Sequence, residues 1–195
     1  MIVLASGSAS RRDMLTAAGV PFEIVTSPVD EGAIKDQLTS QGAGPQEVAL
    51  ELAKAKALAV SALHPERLVL GGDSIVSAAR QMFDKPVSRD NAAEHLRLFS
   101  GQTLVLDSAA ALAKGGVIID HRSDNAQLNV RDLSELFIKS YLDVEWPAIA
   151  ACVGCFRIEA VGVQLFESVT GSHFTILGMP LLPVLDMLRE QGVMA

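Results

Sequence analysis

The side chains best suited to chemistry lie in short polar segments that follow apolar runs. The first is Ser6-Gly7-Ser8-Ala9-Ser10-Arg11-Arg12, directly after the apolar residues 2–5. A strand, a tight turn and a helix N-terminus there would direct backbone N–H groups, serine hydroxyls and arginine forks at one anion. The segment lacks the G-x-x-x-x-G-K-[ST] pattern of a P-loop. The alternative is an ordinary strand–turn–helix with serine caps and solvated arginines.

A second segment, Gly71-Gly72-Asp73-Ser74, follows a predicted buried strand at residues 67–70. In α/β proteins, catalytic groups lie just past buried strands, and two glycines would let a ligand approach the backbone. Asp73 could ligate a divalent cation or accept a proton from an attacking water. The alternative is a turn aspartate that caps its own backbone.

Three single charges near turns or on a helix are weaker candidates: Glu31, Lys56 and Lys85. Each type of side chain is more often solvated than bound to a ligand. Lys56 lies between two alanines of an alanine-rich stretch, which favours a specific role only slightly.

The two cysteines form the sequence Cys152-Val-Gly-Cys155, which occurs in redox and zinc sites. Zinc would need two further ligands, and the four histidines are scattered without ligand spacing. We expect small buried residues beside a tight turn.

Composition narrows the classes of protein. The chain has 195 residues, a net charge of −7 and 49% hydrophobic residues, as expected for a globular protein with a large core. The acidic balance argues against broad nucleic-acid binding. No apolar run approaches the roughly 20 residues of a membrane span, and no signal-like start is seen, so the cytoplasm is the expected location.

The elements that must position these groups alternate between strand and helix patterns. Strands are expected at residues 2–5, 22–25, 67–70 with 75–76, 103–113, 117–130 and 163–166. Helices are expected at 13–19, from Pro45 to about Leu63, after Ser88, from Ser134 to about Asp143, and from Pro180 to Gly192. Residues 26–44 are predicted to be a loop, and Gly115-Gly116 a hairpin turn. This order predicts an α/β fold with a mixed sheet.

Taken together, the motifs resemble those of the Maf (septum-formation protein-like) family of nucleotide pyrophosphatases. The matching segments, in the family's order and spanning essentially the whole chain, are Leu4-Ala5-Ser6-x-Ser8-x-x-Arg11-Arg12, Val29-Asp30-Glu31, Leu52-Ala53-x-x-Lys56-Ala57, Gly71-x-Asp73, Lys85-Pro86, Leu98-x-Ser100-Gly101 and Leu177-Gly178-x-Pro180-Leu181.

The resemblance implies one Maf-like domain over residues 1–195, similar to inosine triphosphatases, with an elongated sheet, flanking helices and two lobes around a central cleft. It implies cleavage of nucleoside triphosphates between the α and β phosphates with Mg²⁺ or Mn²⁺, and a homodimer. By motif, Asp73 is the general base and Glu31 and Asp73 contact the metal. The residues implied to bind the substrate are Ser6, Ser8, Arg11, Arg12, Lys56 and Lys85.

Three positions that face the base in the family map to Ser10, Ser74 and Glu159. The pyrimidine-preferring branch resembles Arg, Thr and Gln there, and the 7-methyl-GTP branch Trp, Gln and Glu. Only Glu159 agrees with a branch, and its surroundings, Cys152-x-Gly154-x-Phe156-x-x-Glu159-x-x-Gly162, are similar to the 7-methyl-GTP branch. The expectation is a modified purine. The alternative is that Glu159 is a surface residue beside a turn.

Two other functions stay open from the sequence. A nucleotide-binding regulator of division or septation with little or no catalysis would fit the departures at Ser10 and Ser74, whereas Glu31, Asp73 and Lys85 argue against it. An inosine-triphosphate-type pyrophosphatase would prefer deaminated purines, but its own opening motif is not seen.

Overall fold

The computed structural model describes residues 1–195. Seven strands form one mixed sheet in the order β2-β1-β3-β5-β6-β7, with β4 paired to β3. The strands are β1 (Ile2–Ala5), β2 (Phe22–Ile24), β3 (Val69–Ala78), β4 (Gln81–Phe83), β5 (Thr103–Lys114), β6 (Val117–Val130) and β7 (Phe166–Thr170). The helices are α1 (Ala9–Ala17), α2 (Glu31–Ser40), α3 (Pro45–Leu63), α4 (Arg89–Phe99), α5 (Glu135–Glu145), α6 (His173–Ile176) and α7 (Leu181–Glu190). The predicted α/β class with a mixed sheet is confirmed.

The chain divides into two compact units. The first unit comprises Met1–Ser74, Asp107–Asn125 and Ser172–Ala195, and the second unit comprises Ile75–Leu106 and Ala126–Gly171. None of the helices is both long and apolar enough to cross a membrane.

In the first unit, β1 pairs in parallel with β2 on one side and β3 on the other. The last pair between β1 and β3 joins Ala5 to Gly71. β1 ends there, whereas β3 continues, so the next residues of β3 are not paired with β1. Asp73 and Ser74 lie in that continuation.

The side chains of β1 alternate between two layers of the first unit, as a buried strand requires. Ile2 and Leu4 belong to a core shared with apolar residues of α1 and α7, and Val3 and Ala5 pack on the other face with Val60 of α3. All four side chains of β1 are fully buried. The strand is therefore a rigid base for the polar loop that follows it.

Close packing of α3 on β3 depends on Gly71. A Cβ atom at Gly71 would lie 2.3 Å from the carbonyl oxygen of Ala53 and 2.8 Å from the backbone nitrogen of Ala57. Only a residue without a side chain allows this approach. Lys56, between these two alanines, is thereby held against β3.

The second unit contains aromatic contacts and an ion pair with a buried carboxylate. The rings of Phe83 and Phe99 meet edge to face with centroids 4.7 Å apart, and His95 packs beside them. Arg157 donates two hydrogen bonds to the carboxylate of Glu145, which is almost completely buried. The pair satisfies a carboxylate that would otherwise be costly to bury.

Several element predictions are wrong in informative ways. Residues 26–44, predicted to be a loop, contain α2, which Asp30 caps through a bond from the N–H of Ala33. None of its residues is buried, so no apolar stripe marks it. Residues 163–166, predicted to be a strand, lie mostly in a 3₁₀ turn (Val161–Leu165), and β7 begins only at Phe166. Its side chains are mostly exposed, which removes the alternation that would identify it.

The start of α1 also differs from the prediction, with consequences for the site. The helix begins at Ala9 rather than at residue 13, because the Ser8 hydroxyl accepts from the N–H of Arg11 as an N-cap. Ser10, Arg11 and Arg12 therefore lie in the first turn of a helix. Two short elements, β4 and α6, were not predicted.

The long hairpin of β5 and β6 matches its prediction closely. Its turn residues, Gly115 and Gly116, both have positive φ, as a tight hairpin turn requires. The N-caps predicted at Ser88 and Ser134 are confirmed by bonds from the N–H groups of Asn91 and Phe137.

Candidate active site

Arg11 is a buried cation of the first unit, with a relative exposure of 7%. Its Nε donates to the carbonyl oxygen of Gly178 at 2.7 Å, Nη1 to the Ser6 hydroxyl at 3.1 Å and Nη2 to the Ser74 hydroxyl at 2.9 Å. These acceptors come from the loop after β1, from β3 and from the segment before α7. They fix the plane of the guanidinium group.

None of the partners of Arg11 is a carboxylate. A guanidinium group has five N–H donors, and the three bonds to Gly178, Ser6 and Ser74 leave two of them unused. Burial lowers the pKa of Arg11, and the nearby charges of Asp73 and Glu31 act against that shift. Arginine nevertheless stays protonated in proteins. A buried charge without a counter-ion in contact is unfavourable, so the group is suited to receive an anionic ligand.

A chain of hydrogen bonds supports Arg11 from behind. The Ser74 hydroxyl lies 2.9 Å from the Ser108 hydroxyl and 3.0 Å from the carbonyl oxygen of Gly178. Ser108 donates to the carbonyl oxygen of Thr175 at 2.8 Å, and Thr175 donates to Asp124 at 2.6 Å. Each hydroxyl has one proton, so the contact between the two serines competes with their bonds to the carbonyl oxygens of Gly178 and Thr175. The chain ties the segment that carries Gly178 to β5 and β6.

Lys56 forms a second cluster with the two carboxylates that were predicted to contact metal. Its Nζ lies 2.6 Å from Oδ1 of Asp73 and 2.9 Å from Oε2 of Glu31. The side chains of Lys56 and Asp73 are 7% and 10% exposed, and that of Glu31 is 53% exposed. Glu31 is the first residue of α2, so the capping of α2 by Asp30 also positions this carboxylate.

The two clusters meet at consecutive residues of β3. Asp73 faces Lys56 on the α3 side of the strand, and Ser74 faces Arg11 on the other side, as alternation along a strand requires. Both residues lie beyond Gly71, where pairing with β1 ends. The fold thus brings the segment 6–12, which was predicted to bind an anion, close to the predicted carboxylate of Asp73.

The donor set at this place fits a hard divalent cation. Lys56 contacts Oδ1 of Asp73 and Oε2 of Glu31, and the second oxygen of each carboxylate takes no part in these two contacts. The chain has no cluster of three or more carboxylate, histidine or cysteine side chains able to hold a metal. Mg²⁺ commonly uses one or two carboxylates with substrate phosphates and water as its other ligands, and Glu31 with Asp73 meets that requirement.

Other predicted residues of the first unit lie outside these two clusters or at their edge. Arg12 is exposed and pairs with the neighbouring Asp13 at 2.9 Å. Ser10 is half-buried on α1 and makes no hydrogen bond through its side chain. Ser8 caps α1 and donates its backbone N–H to Ser6 at 3.3 Å.

Lys85 and Glu159 belong to the second unit, and both are exposed. Lys85 follows β4, and Glu159 lies in the turn before the 3₁₀ segment (Val161–Leu165). The charges of both residues influence the pKa of the half-buried thiol of Cys152. Burial is the largest cause of its raised pKa, Glu159 raises it further, and Arg157 and Lys85 lower it. These two predicted residues therefore share one neighbourhood within the second unit.

Cys152 and Cys155 carry free thiols at a tight turn of the second unit. Cys155 is fully buried, with its Sγ 3.4 Å from Nδ1 of His95. Burial is the main reason that the pKa of the Cys155 thiol is raised to about 12, and burial also lowers the pKa of His95. A thiolate–imidazolium pair is disfavoured on both sides, so this contact is not an activated nucleophile.

The sequence did not single out three residues that support the site: Ser108, Thr175 and Asp124. Gly178 belongs to the last motif that resembles the family, but no role was assigned to its carbonyl. Ser108 and Asp124 lie within long predicted strands, where a polar residue is ordinarily taken as solvent-facing. Gly178 and Thr175 adjoin the predicted last helix. A polar residue directly before a run of buried alanines, as at Ser108, is the one local signal that could have marked a member of this set.

Comparisons with known proteins identify the family of this chain. The family model described as Maf-like protein matches residues 1–191. A protein of Rhodospirillum rubrum named nucleoside triphosphate pyrophosphatase is 40% identical over 99% of this chain and 96% of its own length. A protein of Rhizobium etli named 7-methyl-GTP pyrophosphatase is 43% identical over 98% of this chain and 96% of its own length. The family match covers both the Arg11 and the Lys56 clusters, and the chain belongs to the Maf-like protein family.

Proposed function

We propose that this protein is a metal-dependent nucleoside triphosphate pyrophosphatase that hydrolyses the α–β phosphate bond and releases a nucleoside monophosphate and pyrophosphate. One observation carries the proposal. Arg11 is buried, has no carboxylate partner and has two unused donors. It lies beside the Lys56–Asp73 pair, at the part of β3 that is not paired with β1. The names of the similar proteins, which are pyrophosphatases of nucleoside triphosphates, support it.

The cationic side chains would bind the phosphate groups of the substrate. Arg11 offers two N–H groups in a fixed plane, which suits adjacent phosphate oxygens. Ser6 and Ser8 lie in the loop before α1, where backbone N–H groups add to the positive end of the helix. Lys56 adds a mobile point charge, and phosphoryl transfer depends on such placement of positive charge more than on covalent chemistry.

Asp73 is the group placed to accept a proton. One of its oxygens accepts from Lys56, and the other would orient a water molecule. The water oxygen bonds to the α-phosphorus, Asp73 takes its proton, and the bond from the α-phosphorus to the bridging oxygen breaks. Pyrophosphate leaves with that electron pair. Mg²⁺ or Mn²⁺ held by Asp73 and Glu31 would neutralise charge on the phosphate oxygens.

The proposed substrate preference is a purine related to 7-methyl-GTP. The Glu159 carboxylate is exposed and without an ion-pair partner, so it is available to accept from the N1–H and 2-amino groups of guanine. Its negative charge would also attract a methylated, cationic ring. The Rhizobium etli relative bears the name of that activity. A Glu159→Gln variant should lose preference for the methylated base more than overall turnover.

The direct test is product analysis. Purified protein is incubated with canonical and methylated nucleoside triphosphates, with Mg²⁺, with Mn²⁺ and with EDTA, and the products are resolved chromatographically. Monophosphate with equimolar pyrophosphate is expected, and only with metal. Diphosphate with phosphate would exclude the proposed bond, and full activity in EDTA would exclude the metal requirement.

Asp73→Asn tests the base, because it keeps the shape of the side chain and removes its basicity. We expect turnover to fall by at least about 100-fold, the usual contribution of a general base. Asp13→Asn, on the exposed surface of α1, is the matched control and should retain full turnover. Undiminished turnover of Asp73→Asn would refute the assigned role.

A further inference from the structure

The Lys56 ammonium group lies between the two carboxylates that would hold a divalent cation. It contacts one oxygen of Asp73 at 2.6 Å and one of Glu31 at 2.9 Å, so it bridges the two carboxylates. Lys56 itself is held on α3, which Gly71 allows to lie directly on β3. The free protein thus supplies its own cation to the pair.

We infer that Lys56 excludes divalent metal from Glu31 and Asp73 in the free protein, and that a nucleotide admits the metal by drawing the ammonium group onto its phosphates. The second half of this statement rests on the proposed function. The first half concerns the free protein alone.

Space and charge both support the exclusion. Mg²⁺ must approach carboxylate oxygens to about 2.0–2.1 Å in a near-octahedral arrangement, and the ammonium group fills the space between the two oxygens. A metal ion bound there would lie against an ammonium group in a nearly buried position, where charges of like sign repel strongly. The pair also has half of its charge already neutralised by Lys56, which weakens its attraction for a metal.

The contacts of Lys56 suit a cation that can move. A lysine side chain carries a compact charge on a flexible stem, in contrast to Arg11, whose guanidinium is fixed by three hydrogen bonds. Polyphosphate bound at Arg11 would bring negative charge close to Lys56, since Arg11 already senses the charges of Asp73 and Glu31. Loss of the ammonium group from the pair would then leave two carboxylates for the metal.

The test measures Mn²⁺ binding without nucleotide, by electron paramagnetic resonance of free Mn²⁺. We compare the wild-type protein, Lys56→Met and the control Lys54→Met, whose lysine pairs with Glu51 on the same helix. Lys56→Met should bind Mn²⁺ about 10-fold or more tightly than wild type, within the range usual for two coupled ligands. Lys54→Met should match wild type. Equal or weaker binding by Lys56→Met would overturn the inference.

Two further variants locate the effect. Lys56→Met combined with Glu31→Gln should lose the gain, which places the Mn²⁺ at this pair. Lys56→Arg keeps the positive charge and should exclude Mn²⁺ as wild type does. Circular dichroism of each variant checks folding. If Lys56→Met proves unfolded, Lys56→Gln, which retains a polar group against the carboxylates, takes its place.

A measurement on the wild-type protein keeps the inference falsifiable without any variant. The α,β-methylene analogue of GTP, which cannot be cleaved at the proposed bond, is added at saturation, and Mn²⁺ binding to the analogue alone is measured in parallel. Wild type should bind Mn²⁺ about 10-fold or more tightly in the complex. Equally tight binding without the analogue would overturn the inference. If no nucleotide is hydrolysed and yet Lys56→Met gains Mn²⁺ affinity, the proposed function fails and the exclusion stands.

Discussion

Gly71→Ala tests whether the close packing of α3 on β3 positions Lys56 in the site. The added Cβ would lie 2.3 Å from the carbonyl oxygen of Ala53 and 2.8 Å from the nitrogen of Ala57, far inside normal contact. Both atoms belong to the backbone of α3, so no side chain can rotate away. The helix must retreat from β3 by several tenths of an ångström at the turn that carries Lys56.

The expected loss of stability follows from that clash. Overpacking in a core costs typically about 1–3 kcal/mol, and a backbone contact on both sides of the new methyl group places Gly71→Ala near the upper end. For a chain of this length, each kcal/mol lowers Tm by about 2–4 °C, so we expect a fall of roughly 5–10 °C. Retreat of α3 would also lengthen the 2.6 Å contact between Lys56 and Asp73 and reduce turnover of nucleoside triphosphates.

The matched control is Gly44→Ala, at the N-cap of the same helix. A Cβ there meets no atom within 4 Å, and φ is −81°, which any residue adopts. Its expected cost is below about 1 kcal/mol. Urea unfolding and steady-state kinetics are measured on both variants. If Gly71→Ala is no less stable than Gly44→Ala and equally active, then α3 does not owe its position to the missing side chain.

Three further predictions concern other contacts. Thr175→Val removes the hydrogen bond to Asp124 and should lower the free energy of unfolding in urea by about 0.5–1.5 kcal/mol. The variant should also raise KM more than it lowers kcat. Unchanged kinetics would exclude a role of Thr175 in positioning Arg11. Burial lowers the pKa of His95 in the folded state, so the contribution of His95 to stability is complete above the unfolded pKa of about 6.5 and is lost as pH falls below that value. The free energy of unfolding of His95→Gln should therefore fall less between pH 7 and pH 5 than that of the wild type. Parallel curves of unfolding free energy against pH would contradict this. At pH 8, mass spectrometry after alkylation should find Cys152 modified well before the buried Cys155, whose pKa is about 12; equal rates would show that the turn opens readily.

The sequence predicted the elements with apolar signatures and missed those without them. β1 and the long hairpin were identified from apolar runs and from Gly115-Gly116. α2 was missed because no side chain of it is buried. The N-cap of α1 was missed because Ser6, Ser8 and Ser10 are all plausible caps, and only the fold shows that Ser8 takes the role.

The site was predictable in its residues but not in its connections. Ser6, Arg11, Glu31, Lys56 and Asp73 were all singled out, and the fold gathers them within the first unit. Their pairing was not predictable, because it depends on the face of β3 to which each side chain turns. Alternation along β3 assigns Asp73 to Lys56 and leaves Ser74 for Arg11, which no motif spacing reveals.

The bond between Arg11 and Gly178 has a consequence for how the protein is made. Its partners lie 167 residues apart in the chain, and α7, which follows Gly178, completes the core beneath β1. During synthesis Arg11 therefore lacks this acceptor until Gly178 has been added to the chain. Contacts of such long sequence separation form late in folding. We expect nascent chains that end before Gly178 to lack nucleotide binding, because the guanidinium group of Arg11 is then not fixed by its bond to Gly178.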